Sequence, residues 1–328
     1  KWLGGLFSLF GMLAAFGIGN MTQINSIVTS ISGTINSYTP INVNTANLII
    51  GIIVAAFCAL VLLGGLKRIG QVTEKLVPFM AVIYIVSALI IFFAHIGNIG
   101  SVLRSIFVGA FNPSAVVGGV AGVTISAAIK RGVGRGVFSN EAGLGSAPIA
   151  HAAADTDSAV RQGCFGVFEV FADTIVICTI TALAVLSSGV WTQEGLSSGQ
   201  LALAAFRSVF GSFGAIFVAV TVFLFVFSTI ISAGFFGQIQ AEILFGRKFS
   251  KIWVFMYPLF IGIACAFSNV TTMYMITDGF MAVIVILNMI GLLVMCKQVK
   301  DLQKEYYNTP GMYYLADKAA KEAKKAAK

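Results

Sequence analysis

The 328 residues are 58% hydrophobic and only 10% charged, with 21 Lys and Arg set against 13 Asp and Glu, for a net charge of +8. A water-facing fold needs about a quarter of its residues charged, so this chain has the length for a large core but too little polar cover for it; lipid is the solvent that fits. The basic excess lies in loops and in the tail, which gives no reason for a nucleic-acid partner, and the five cysteines sit singly in apolar runs without a CxxC pair, reading as small buried hydrophobes.

Taken in chain order, eight segments have the length and apolar content of membrane spans: 3–31, 47–66, 76–96, 116–154, 159–187, 211–244, 252–267 and 271–295. Most carry the ~20 apolar residues that cross about 30 Å of hydrocarbon, and none shows the alternation of a barrel strand. The chain opens on Lys1 with no signal-peptide pattern and reads as a piece of a longer protein. With Lys1 inside and each segment crossing once, Lys67, Arg68, Lys75, Arg161, Arg247, Lys248 and Lys251 fall on the inner side, whereas 38–46 on the outer side carries no charge. That positive-inside bias supports an even number of crossings and a cytoplasmic C-terminus. The division expected is a transmembrane domain over 1–297 and a basic cytoplasmic tail over 298–328.

The fourth segment is the most informative. Its stretch KRGVGRGVFSNEAGLGSAPIAHAAADTD holds Gly132, Gly134, Gly136, Gly143, Gly145 and Pro148, a composition that predicts a helix that stops near Asn140 and restarts. Such a break survives at membrane depth only where protein or a water-filled cavity satisfies the freed backbone groups, an arrangement transporters use to hold carboxylates and cations. A re-entrant loop, or a plain loop between short helices, would have the same composition. Ser139, Asn140 and Glu141 suit the start of the second half, as caps and a first-turn acid, and capping alone accounts for them as well as function does.

The run GRGVFSNEAGLGSAPIAHAAA, with Asp173–Val176 (DTIV), AFGIGNMTQINS at 15–26 and Phe227-Ser228-Thr229-Ile230, resembles the hallmark regions of the alanine or glycine:cation symporters, and the resemblance extends over residues 1–300. It implies an all-α polytopic membrane protein with a leucine-transporter-like inverted-repeat fold, of which this chain would hold core helices 3–10: about eight transmembrane helices with one broken helix, the first core helices lying upstream. The function implied is sodium-coupled symport of a small neutral amino acid by alternating access, with sodium as the transported ion and no enzymatic activity, in a multi-pass protein of the plasma membrane, here a bacterial inner membrane.

The same resemblance suggests roles for single residues. Gln23 is a substrate contact, whereas Asn20 and Asn25 suit helix-to-helix hydrogen bonds. Phe138 forms an aromatic wall beside the substrate within the broken-helix hallmark of Gly136, Ser139, Asn140, Glu141, Gly143 and Gly145. Ser228 and Thr229 are the hydroxyl pair that binds the cation, with Thr229 and Ile230 also touching substrate; back-bonding to their own helix is the plain alternative. The family commonly reads Ile-Leu-Gly-Trp after this threonine, and this chain reads Ile230, Ile231, Ser232, Ala233. Alanine in place of the tryptophan makes room for a larger substrate, such as glutamine. Among the remaining charges at depth, Glu169, Asp173, Glu242 and Asp278, structural pairing is expected before ion binding, with Arg131 or Arg135 as possible partners near the break. With only His95 and His151, no HExxH and no nucleotide-binding loop, a membrane-embedded enzyme or an ATP-driven pump finds no support. A channel is the remote alternative.

Overall fold

The computed structural model describes residues 2–111, 125–193, 198–266 and 270–313. All regular structure among them is helical. In chain order the helices are α1 (Trp2–Phe16), α2 (Thr22–Tyr38), α3 (Val43–Leu62), α4 (Gly65–Ala94), α5 (Ile99–Phe111), α6 (Ile125–Asn140), α7 (Ser146–His151), α8 (Ala159–Val170), α9 (Cys178–Ser187), α10 (Ser198–Phe245), α11 (Arg247–Ala266) and α12 (Val270–Asn308). Two π-turns, Gly17–Met21 and Phe171–Ile177, join α1 to α2 and α8 to α9, so that each pair forms one span.

Among the described residues six helical stretches are long and apolar enough to cross a membrane: 2–38, 43–62, 68–94, 159–187, 200–245 and 275–308. They correspond to six of the eight expected segments. The other two are the broken pair α6–α7 and the 20-residue α11; the expected start of the broken segment, from Val116, lies outside the described residues. α12 runs without interruption past residue 297 to Asn308, so the expected domain boundary falls inside a helix. The expected start of the sixth span at Gly211 corresponds to a kink within α10, where Gly211 adopts φ 58° and ψ −136°, a conformation that only glycine takes at little cost.

Lipid-type solvation shows in which residues face out. Leu293 and Val294 are 72% and 79% exposed, while Asn20, Thr22 and Thr277 are at most 2% exposed. Apolar side chains outside and polar ones inside suit hydrocarbon, where polar groups must find their partners within the protein.

The largest core cluster surrounds Trp253 and Tyr257 of α11 and takes in Ile24, Ile27 and Val28 of α2, Val54, Cys58 and Leu62 of α3, and Ile230 and Ile231 of α10. α1 and its π-turn cross α10 antiparallel along a seam of small residues. Gly11 faces Gln240, Ala15 faces Gly237, and Gly19 faces Ala233, where an added Cβ on Gly19 would collide with the alanine. Small residues let two backbones approach closely, which is the main source of helix–helix attraction where lipid removes the hydrophobic driving force. Tyr257 locks the seam: its hydroxyl is placed to donate to the carbonyls of Gly19 (2.8 Å) and Ile230 (3.0 Å), while Asn20 Nδ2 donates to the Tyr257 carbonyl at 2.8 Å. The helix-to-helix role expected of Asn20 is the one observed.

Candidate functional site

The break forms where glycine allows it. α6 ends at Asn140, whose Oδ1 accepts from the Ala142 N–H at 2.8 Å. Glu141 takes φ 53°, the sole positive value among described non-glycine residues, and Gly143 and Gly145 follow at φ 82° each. The Leu144 N–H donates to the Glu141 carbonyl at 3.0 Å, and Asn288 of α12 donates through Nδ2 to the Gly143 carbonyl at 3.0 Å. α7 then starts at Ser146, whose hydroxyl donates to the Glu141 carboxylate. The second half-helix thus begins later than Ser139–Glu141, correcting the sequence expectation. Two left-handed glycines close the turn after Glu141, and no helix can restart until they are passed. Ser139 and Asn140 finish the first half instead of capping the second. At 1.5 Å per residue the halves reach about 24 Å and about 9 Å, so only together do they match ~30 Å of hydrocarbon.

The break opens onto a cavity of about 600 Å³. The end of α6 contributes Ser139 and Asn140, the turn after it Glu141, α7 contributes His151, and the span α8–α9 contributes Gln162, Glu169 and Asp173. α10 closes it with Ser228, Thr229, Ser232, Ala233 and Phe236. Ser139 donates to Asp173 Oδ2 at 2.7 Å, tying the end of α6 to the π-turn that carries Asp173. His151 lies 3.2 Å from Glu169 through Nε2, and its Nδ1 is 2.7 Å from Gln162 Nε2. Three carboxylates line this space, and none of its described lining residues is Lys or Arg, a set of groups that suits a cation or an ammonium group.

The hydroxyls of Ser228 and Thr229 both donate to the Phe225 carbonyl, at 2.7 and 3.1 Å, and Ser232 donates to the Ser228 carbonyl at 3.0 Å. This is the back-bonding anticipated from sequence. It spends the hydroxyl protons on the helix and leaves the oxygen lone pairs as the groups a cation would meet.

A second, smaller cavity of about 90 Å³ lies on the other side of a shared wall formed by Glu141, Thr229, Ala233 and Phe236. Its remaining lining is mostly apolar and comes from α1, α12 and α7, with Gln240 at one end.

Of the residues singled out from sequence, Ser139, Asn140, Glu141, Ser228, Thr229 and Ala233 come together around the polar cavity. Gly143 and Gly145 shape the turn, and Gly136 lies within α6. Gln23 follows the first π-turn on α2, half-buried, and lines neither cavity; Ile230 is fully buried in the α11 core. The backbone of Phe138 is in the last turn of α6, but its side chain, like those of Arg131 and Arg135, lies outside the described residues. Among the other deep charges, Glu242 pairs with Arg247 at 3.3 Å and Asp173 with Ser139, while Asp278 is exposed. Sequence reasoning missed Gln162, Ser232 and Gln240. An amide within an apolar run was the available signal for Gln240, the same one that marked Asn20 and Gln23.

Comparison with known proteins agrees with the resemblance. The family model described as the sodium:alanine symporter family matches residues 1–316. The chain is 41% identical to the uncharacterized transporter YflA of Bacillus subtilis over 319 residues, 97% of this chain and 65% of that protein. It is 39% identical to the sodium/alanine symporter AgcS of Methanococcus maripaludis over 93% of this chain and 65% of that protein. To the probable sodium/glutamine symporter GlnT of Bacillus subtilis it is 34% identical, over 93% of this chain and 62% of that protein. The chain spans about two thirds of the length of these relatives. An all-helical polytopic membrane chain with a glycine-broken helix beside a hydroxyl-lined, carboxylate-rich cavity, matched over nearly its whole length, belongs to the sodium:alanine symporter family.

Proposed function

We propose that the protein to which this chain belongs carries a small neutral amino acid together with sodium across the plasma membrane, and that the polar cavity at the helix break is its binding site. One observation carries the reading: the break residues Ser139–Glu141 and the hydroxyls of Ser228 and Thr229 line one cavity together with the carboxylates of Glu169 and Asp173. Sodium favours hard oxygen ligands, which the two hydroxyls supply, while the acidic lining suits the ammonium group of an amino acid. Phe138, Gln23, Thr229, Ile230 and Ala233 are proposed substrate contacts. For Gln23 and Ile230 this requires a rearrangement, since neither borders the cavity here. The basic loops and tail are assigned to the cytoplasm, and the helices to a share of an inverted repeat.

The test is uptake of labelled alanine by full-length protein in liposomes. An inward sodium gradient is expected to drive accumulation, Ser228→Ala and Thr229→Ala to raise the sodium concentration needed, and potassium to be no substitute. Accumulation indifferent to sodium would overturn the reading in favour of proton coupling, and flux without accumulation would favour a channel.

A second reading concerns substrate size. Ala233 forms part of the wall between the two cavities, so the substrate side chain has room where a larger residue would close it. Glutamine is the larger substrate proposed, and competition of glutamine against alanine uptake decides between them.

A further inference from the structure

Gln240 departs from the rule that buried polar atoms are paired. It is 3% exposed, and its Oε1 has no hydrogen-bond partner among the described residues. An amide with only a packing role would normally find a partner or be replaced by an apolar side chain of similar size. Gly11 on α1 is what makes room for it, since a Cβ there would lie 3.3 Å from Gln240 Cγ.

Gln240 lines the small cavity with its Oε1 sealed within the protein, and the far end of that cavity is the shared wall with Glu141 and Thr229. Thr229 and Gln240 stand about 16 Å apart along α10. Between these polar ends the lining is apolar, with Ala14, Ala15, Met281 and Ile284. The space equals about three waters, far below that of a drug-sized ligand. Gln240, Phe7 and Ile149 also border a further groove that reaches Ile243 and Leu244, next to the turn that opens α11 at Arg247. Polar cavity, small cavity and groove therefore follow one another toward the basic end of α10.

We propose that the small cavity is a second, transient station for the transported amino acid, and that Gln240 is its polar contact. Once its side chain turns toward the cavity, the carboxamide can accept from the ammonium group through Oε1 and donate to the carboxylate through Nε2, so a single side chain serves both charges of a small zwitterion. The alanines opposite leave space for a methyl-sized side chain. The inference rests on the transport reading above.

The experiment uses full-length protein, labelled alanine and sodium. In detergent, wild type is expected to bind two alanines per chain at saturation and Gln240→Leu one, with the tighter site's Kd changed by less than about twofold. In liposomes Gln240→Leu is expected to slow net efflux by about tenfold while its melting temperature does not fall. Should that variant fail to fold, Gly11→Ala crowds the carboxamide and reads the same station. One alanine per chain in wild type would mean a cavity that holds water only, and would overturn the proposal. So would efflux unchanged in Gln240→Leu, a melting temperature that falls with rates intact, or a full-length structure in which the protein's own groups bind Oε1. Wild-type protein with no sodium-driven uptake would sink the transport reading itself, whereas normal wild-type uptake with an indifferent Gln240→Leu removes only the station.

Discussion

Gly143 and Gly145 have the same backbone angle and different surroundings, so alanine at each position separates strain from packing. Both lie at φ 82°, where an L side chain costs roughly 1–2 kcal/mol. Around Gly143 the nearest atoms to an added Cβ are Met289 Sδ at 3.7 Å and Val285 Cγ1 at 3.9 Å, which is ordinary contact. At Gly145 the Cβ would lie 2.9 Å from Asn288 Oδ1 and 3.0 Å from Phe7 Cζ, so one of these must move. Moving Asn288 costs its hydrogen bond to the Gly143 carbonyl, worth about 1 kcal/mol. Gly143→Ala is therefore expected to destabilise by about 1–2 kcal/mol from strain alone, and Gly145→Ala by about 2–3 kcal/mol once the lost bond is added. Asn288→Ala, which loses only the bond, should cost about 1 kcal/mol. Equilibrium unfolding of the full-length protein in mixed micelles measures all three. Because Gly145 immediately precedes α7, Gly145→Ala should also reduce uptake more than Gly143→Ala. Equal losses for the two glycine variants would refute the argument, since it would mean that Asn288 and Phe7 give way freely.

Three further expectations follow from the same geometry. Asp173→Asn removes a charge-assisted hydrogen bond from Ser139, worth about 1.5–3 kcal/mol, so sodium-driven uptake should fall about tenfold or more; a change below twofold would show that the link between α6 and the second π-turn is dispensable. Tyr257→Phe leaves the Gly19 and Ile230 carbonyls without their buried donor and should destabilise by about 1–3 kcal/mol in the same unfolding assay, and a variant as stable as wild type would contradict the locking role. Ala233→Leu adds volume at the Gly19 contact as well as in the shared wall, so it should lower stability and, per folded protein, depress glutamine uptake more than alanine uptake; equal depression per folded protein would argue against a size filter there.

The sequence made the solvent and most of the spans readable because lipid demands long apolar runs, and composition reports them directly. It also located an interruption, since five glycines and a proline lower helix propensity within one span, but composition did not separate a broken helix from a re-entrant loop. The end points were less readable. Ser139 and Asn140 have cap chemistry, and nothing local says that Gly143 and Gly145 would both turn left-handed and delay the restart to Ser146. The pairing of Ser139 with Asp173 joins residues 34 positions apart and depends on the packing of two spans, which periodicity does not encode. Gln240 was hidden for a similar reason: an amide in an apolar run announces burial, but the missing partner is visible only in three dimensions.

The π-turns have a consequence for how these spans can vary. Each residue of an α-helix turns the chain by about 100°, so an extra residue would rotate everything after it unless a wider turn takes it up, which is what a π-turn does. The turn Gly17–Met21 sets the face of α1 that presents Gly11 and Ala15 to α10 against the face of α2 that presents Ile24 and Ile27 to α11. Deleting one residue there would return the span to a regular helix with the two faces still in register. A change of length by one residue can therefore be absorbed locally at these turns, and spans 2–38 and 159–187 each carry two working faces kept in register across one widened turn.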